Sequence, residues 1–150
     1  MTATAHALVG GALAAAINNP VLGISLSLIS HPLLDLIPHW DEGWGWREKD
    51  KVRLFAECTI DLSAGVLITY MLFGAGVPIW YLLSCIGAAV LWDVLEAPYL
   101  ILNWKFAPFT FFYKLQSGMQ GKAALPWGIV TQVVTVAIIA FLLNQFPTQL

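Results

Sequence analysis

Residues 62–92 read LSAGVLITYMLFGAGVPIWYLLSCIGAAVLW, without one Asp, Glu, Lys, Arg or His. The break within them is Gly74-Ala75-Gly76 followed by Pro78, a combination that marks a turn. Extended outward to the next polar residues, each arm reaches the roughly 20 residues that a membrane-spanning helix requires. The stretch therefore predicts two successive crossings, the first over residues 52–73 and the second from Pro78 to about Asn103.

The flanking chain repeats the pattern. On the N-terminal side, an apolar stretch over about residues 4–17 stops at Asn18-Asn19-Pro20. Asn19 suits a helix N-cap and Pro20 a first helical position, so a second stretch follows and reaches Ile37 before Pro38. Both are shorter than a full span, and form either tilted spans or a re-entrant hairpin. On the C-terminal side, residues 108–119 are aromatic-rich, carry Lys114 and Gln116, and are too short to cross; they suit a helix lying in the interface. Pro126 opens a fifth apolar stretch to about Phe146, uncharged throughout, a scaffold or a contact helix. The expected fold is all-α: a polytopic membrane bundle of about five hydrophobic helices plus one interfacial helix, with residues 1–150 forming a single integral membrane domain.

Composition agrees with this reading. The chain is 59% hydrophobic and 11% charged, against about 25% charged in an average soluble domain. Seven Lys/Arg against nine Asp/Glu leave a net charge of -2, which excludes a basic nucleic-acid binder. Disorder is excluded by the hydrophobicity. Cys58 and Cys85 give no disulfide framework and read as small buried hydrophobes. The opening Met-Thr-Ala-Thr-Ala-His lacks the basic region of a signal peptide, so the first stretch is expected to remain in the mature protein.

The basic residues set an orientation. Arg47, Lys49, Lys51 and Arg53 flank the connection after the second stretch, and Lys105, Lys114 and Lys122 the connection before the fifth. Alternate crossings bring both connections to one side. The positive-inside rule makes that side, and the N-terminus with it, cytoplasmic in the inner membrane.

Within the apolar stretches stand Asp35, Glu57, Asp61, Asp93 and Glu96. A carboxylate near the centre of a spanning helix costs on the order of 2.5–3.5 kcal/mol even on insertion-derived scales. No Lys or Arg lies inside these stretches away from their ends, so the five are expected to lack basic partners and to be neutralised by protons or bound cations. At about 1.5 Å per residue, all lie in the same half of the bilayer as the basic ends, as do His6 and His31. Spacing lets them converge: His31 and Asp35 are four apart, Glu57 and Asp61 four, Asp93 and Glu96 three, so each pair shares a helix face. Three helices turning such pairs inward make a carboxylate-rich metal site of the kind bundles build. His39, just past Pro38, stands where it closes the site from above, with Asp41 beside it; the plainer reading of His39, Asp41 and Glu42 is a solvated loop.

The segment Ser30-His31-Pro32-Leu33-Leu34-Asp35-Leu36-Ile37-Pro38-His39 resembles the His-x-x-x-Asp, Pro, His pattern of zinc-dependent phospholipase C and the P1-type nucleases. Thr4-Ala5-His6 with Gly10-Gly11, followed by Ser30-His31 and Asp35, is similar to the membrane-bound metal-dependent hydrolases of the YdjM type. Gly87 to Asp93 is loosely similar to the Gly-rich Pro-Asp segment of that family, with Trp92 in place of the proline. The His-Arg-Gly-x-Thr-His-Ser segment that many members carry is absent. The resemblance implies metal-dependent phosphoester hydrolysis.

These readings combine into one expectation and two alternatives. The expectation is a membrane-embedded hydrolase acting on a phosphoester, such as a lipid head group at the cytoplasmic face. A divalent metal would be held by His31, Asp35, Asp61 and Asp93, joined by His6 and His39; imidazole plus carboxylate ligands fit zinc best. Glu57 or Glu96 would be the base, or would orient a ligating histidine. Membrane lipids are the expected partners, a phospholipid the expected substrate class, and oligomeric state is left open. The alternatives are a proton or cation carrier using the same carboxylates, and a small membrane protein whose metal only supports its fold.

Overall fold

The computed structural model describes residues 1–145 and is all-α, with six helices and no strand among those residues. They are α1 (Ala3–Ala16), α2 (Pro20–Asp35), α3 (Lys51–Phe73), α4 (Ile79–Ile101), α5 (Phe109–Met119) and α6 (Trp127–Gln145). The expected end of the last stretch, at Phe146, lies outside the described residues. Three helices, α3, α4 and α6, are long and apolar enough to cross a membrane; α1 and α2 are shorter apolar helices.

The shortness of α1 is explained by its place. It packs against α2, α3, α4 and α6 at once, and ten of its residues are buried. A helix that is apolar all round belongs inside, and the Ala/Gly-rich sequence lets neighbours approach closely. A Cβ added at Gly11 would stand 2.1 Å from Thr69 Cγ2 on α3, and one at Gly23 of α2 would stand 1.8 Å from Tyr81 Oη on α4. One face of α1 (Ala5, Val9, Leu13) meets Leu34 and, from α6, Val136, Ile139 and Leu143. The opposite face (Ala7, Ala14) meets Leu82, Cys85, Ile86 and Val90 of α4. The outer faces of the long helices stay apolar and uncovered, with Ile60, Met71, Val133 and Phe141 each more than 60% exposed.

Helices α1 and α2 form a hairpin that begins and ends at the level of Asp61 and Asp93. Asn19 caps α2 by accepting from the Leu22 N–H at 3.2 Å, and Pro20 occupies the first turn. The hairpin tip is held at the far end of the bundle, where the Tyr81 hydroxyl donates to the Ile17 carbonyl at 2.7 Å. Pro32 within α2 cannot donate to the carbonyl four residues before it. That carbonyl, on Leu28, instead accepts from the Trp92 indole N–H at 3.2 Å.

At the opposite end the two basic connections lie against each other. The His39 N–H donates to Gly121, and the Ala123 N–H donates back to the His39 carbonyl, at 3.2 and 2.9 Å. Arg47 donates to the Tyr113 hydroxyl at 3.0 Å. Gln132 of α6 reaches into the same junction, accepting from the Thr2 N–H and donating to the Trp40 carbonyl, both at 2.8 Å. His39 is thereby buried, 0% exposed, which corrects the solvated-loop reading. The loop is drawn inward because its backbone finds partners in the segment before α6.

Candidate metal centre

Side chains from four helices meet beneath this junction: His6 from α1, His31 and Asp35 from α2, Asp93 from α4 and Gln116 from α5. His39 joins from the segment after α2. His6, His31 and His39 are fully buried, and Asp35 is 1% exposed. The rings of His6 and His31 stack with centroids 3.7 Å apart and planes 11° from parallel. Asp35 is the hub: its carboxylate is 3.1 Å from His6 Nε2, 3.3 Å from His31 Nε2 and 3.8 Å from His39 Nε2, and it pairs with the Met1 amino group. His31 Nε2 also lies 3.4 Å from Asp93 Oδ1.

Hydrogen bonding fixes which ring nitrogens face inward. His31 Nδ1 is 2.5 Å from the Ala89 carbonyl and His39 Nδ1 is 2.7 Å from that of Ile37. A carbonyl only accepts, so each Nδ1 carries the proton, and in a neutral ring Nε2 presents its lone pair. In metal sites, an imidazole is commonly pinned through one nitrogen so that the other can ligate. The His31 lone pair points at two carboxylate oxygens, an arrangement that needs a proton or a cation between acceptors. Buried His39 Nε2 and His6 Nδ1 have no hydrogen-bond partner, and burial holds His39 below the ordinary imidazole pKa, with the Met1 amino group acting in the same direction. His6, His31 and Asp93 each offer one ligand atom, all within 4.8 Å of one another, a group able to hold a metal ion.

The cluster is closed on the Asp35 side and open on the Asp93 side, where the side chain is 32% exposed. There it meets a cavity of about 610 Å³ between α3, α4, α5 and the loop after α2, whose walls include Asp41, Glu42, Asp61, Asp93, Glu96, Arg47 and Lys122. Burial pushes Asp41 up to about 6, and Asp93 adds to it against the opposing Met1 amino group. Burial pushes Glu42 up to about 8, with Asp61 and Asp41 adding in turn. The rim is aromatic: Tyr99 and Tyr113 stack at 4.0 Å, and Trp46 lies edge-on to both.

The residues singled out from the sequence thus divide. His6, His31, Asp35, His39 and Asp93 come together. Asp61 lines the cavity, but its side chain accepts from the Thr4 N–H at 3.2 Å while its carbonyl accepts from the Thr4 hydroxyl at 2.8 Å, so it holds the start of α1. Glu96 lines the cavity one turn from Asp93. Glu57 corrects the expectation of carboxylates without basic partners. It pairs with Lys49 and Arg53, both at 2.7 Å: Arg53 is one turn earlier on the same helix, and the loop after α2 folds back and brings Lys49 over the first turns of α3. Sequence reasoning missed Gln116, whose Nε2 donates to Asp93 Oδ1 at 3.2 Å, and the Met1 amino group. Neither carries a spacing signal; the one available hint was a carboxamide close to Lys114 in an aromatic interfacial segment. Comparison of the chain with protein-family models, with curated proteins and with solved structures finds no match in any of the three.

Proposed function

We propose that the chain is an integral membrane, metal-dependent hydrolase that cleaves a phosphoester drawn from the cytoplasmic face, with a lipid head group as the substrate class. The observation that carries this reading is the orientation of His31. Its Nδ1 is anchored on a backbone carbonyl while Nε2 faces Asp35 and Asp93, and Asp93 opens onto a cavity lined by further acids and two cations. A divalent ion held by His6, His31 and Asp93, with Asp35 joining or orienting them, would polarise a phosphoryl oxygen and acidify a bound water; zinc suits these ligands.

The chain's own residues supply the rest. Glu96, on the same helix face as Asp93, is placed to accept a proton in the cavity. Arg47 and Lys122 on the cavity wall offset the charge of an entering phosphate. Glu57, engaged by two cations, serves the loop rather than the proton transfer. Helices α3, α4 and α6 cross the bilayer, and the end bearing the seven basic residues lies in the cytoplasm. Chemistry at one face distinguishes this reading from a carrier, which needs polar groups along the whole path; Thr131 and Gln132 of α6 bond backbone carbonyls at the basic end, and in the other half Ser84 is taken up by the Trp80 carbonyl of its own helix.

Elemental analysis of the detergent-purified protein tests the reading, with about one divalent ion per chain expected. His31→Ala and Asp93→Asn should each lose the ion and, in a screen of phospholipids for released head group or phosphate, the activity. Folded wild-type protein without metal overturns the reading. Metal without hydrolysis of any phosphoester leaves a structural site instead.

A further inference from the structure

Gln116 lies in the interior of α5 and is 4% exposed. Its amide nitrogen stands 3.2 Å from Asp93 Oδ1 and 3.4 Å from His31 Nε2, and those two atoms are themselves 3.4 Å apart. Ligand atoms about 2.0–2.2 Å from a tetrahedral ion stand about 3.3–3.6 Å from one another. The three atoms thus make a triangle of the size of one face of such a polyhedron. The carboxamide oxygen is buried with no hydrogen-bond partner, which costs about 1–3 kcal/mol. Most buried side-chain polar atoms have a partner. Gln116 gives its donor to two atoms that face the centre and leaves its acceptor idle.

We infer that Gln116 is a ligand of the divalent ion, its carboxamide turning over so that Oε1 takes the position Nε2 occupies beside His31 and Asp93. The inference rests on the metal-centre reading above. It also fits the charge of the site. Asp93 brings one negative charge and Asp35 offsets the Met1 amino group it pairs with, and a carboxamide oxygen adds a ligand without adding charge. Because Gln116 belongs to α5, which packs on α4 and α2 and lines the cavity through Tyr113 and Ser117, ion binding would fix that helix in the cavity wall.

Titration of the protein in detergent with cobalt(II), followed by its visible absorption, tests the inference. Gln116→Leu should weaken binding by about tenfold or more and shift the absorption bands. Gln116→Glu, which retains an oxygen at that place, should bind at least as tightly as wild type, with bands moved by the charged ligand. A folded Gln116→Leu protein with wild-type or tighter affinity and unchanged bands overturns the assignment. If that variant does not fold, unchanged bands in Gln116→Glu overturn it equally. Wild-type protein that takes up no cobalt removes the metal centre and this ligand with it, whereas cobalt bound identically by wild type and both variants removes Gln116 alone.

Discussion

Asp35 sets the terms at the scale of single residues. Its carboxylate is buried against His6, His31 and the Met1 amino group, and removing it strands those groups away from water. Breaking a buried ion pair by deleting one partner typically costs about 3–5 kcal/mol. Asp35→Ala should therefore lower the melting temperature in detergent more than Asp61→Ala, whose main partner is a backbone N–H at the start of α1. Equal losses would show that Asp35 is not the hub. Glu42 carries a different signature. Its folded pKa is raised from 4.5 to about 8, so the folded protein binds its proton more tightly than the unfolded chain does. The contribution of Glu42 to stability is then greatest below about pH 4.5, falls as pH rises through the interval, and levels off above about pH 8. Asp41, raised from 3.8 to about 6, adds the same sign over a lower window. Glu42→Gln should flatten the decline in melting temperature between about pH 6 and pH 8; an unchanged slope there removes Glu42 as its source.

Among the elements, α2 shows how a rule broken locally is repaired from elsewhere. Pro32 sits inside the helix, and Trp92 of α4 supplies the N–H that Leu28 loses. Trp92→Phe should cost about 1–3 kcal/mol by leaving that carbonyl unsatisfied. Pro32→Ala restores the helical donor, so the double variant should lose less than the single substitutions predict when added. Additive losses measured by thermal unfolding would mean that the two positions are uncoupled. The same elements show what the sequence made legible. The breaks at Asn19-Pro20 and Gly74–Pro78 and the spacing of His31 and Asp35 are local features, and local geometry follows from them. Burial of His39 depends on backbone pairing with residues 121–123, and the pairing of Glu57 with Lys49 depends on the path of a loop. Gln116 reaches the centre through the docking of α5 on α4 and α2. Each of these is a contact between segments whose sequences hold no complementary pattern, so no reading of one segment reveals the other.

For the whole molecule, the governing fact is that polar chemistry collects at one end. His39 pairs with the segment before α6, Arg47 bonds Tyr113, and the cavity acids lie between them. The other end holds the tip of the α1–α2 hairpin, tied by Tyr81 to Ile17, and the short turn between α3 and α4. The proposed membrane setting fits this division: the exposed faces of α3, α4 and α6 are apolar, and a helix of 14 residues such as α1, about 21 Å long, is sheltered by its neighbours. On the proposed reading, the positive-inside rule puts the polar end in the cytoplasm. In a background with Cys58 and Cys85 replaced, a cysteine at Ala75 should react with a membrane-impermeant maleimide applied to intact cells. A cysteine at Glu48 should react only after the membrane is opened. Both positions are exposed on the protein, so a difference in labelling reports the side and not burial. The reverse pattern would put the metal centre and its cavity on the outer face, and with them the substrate; labelling of both sites in intact cells would remove the membrane-spanning arrangement itself.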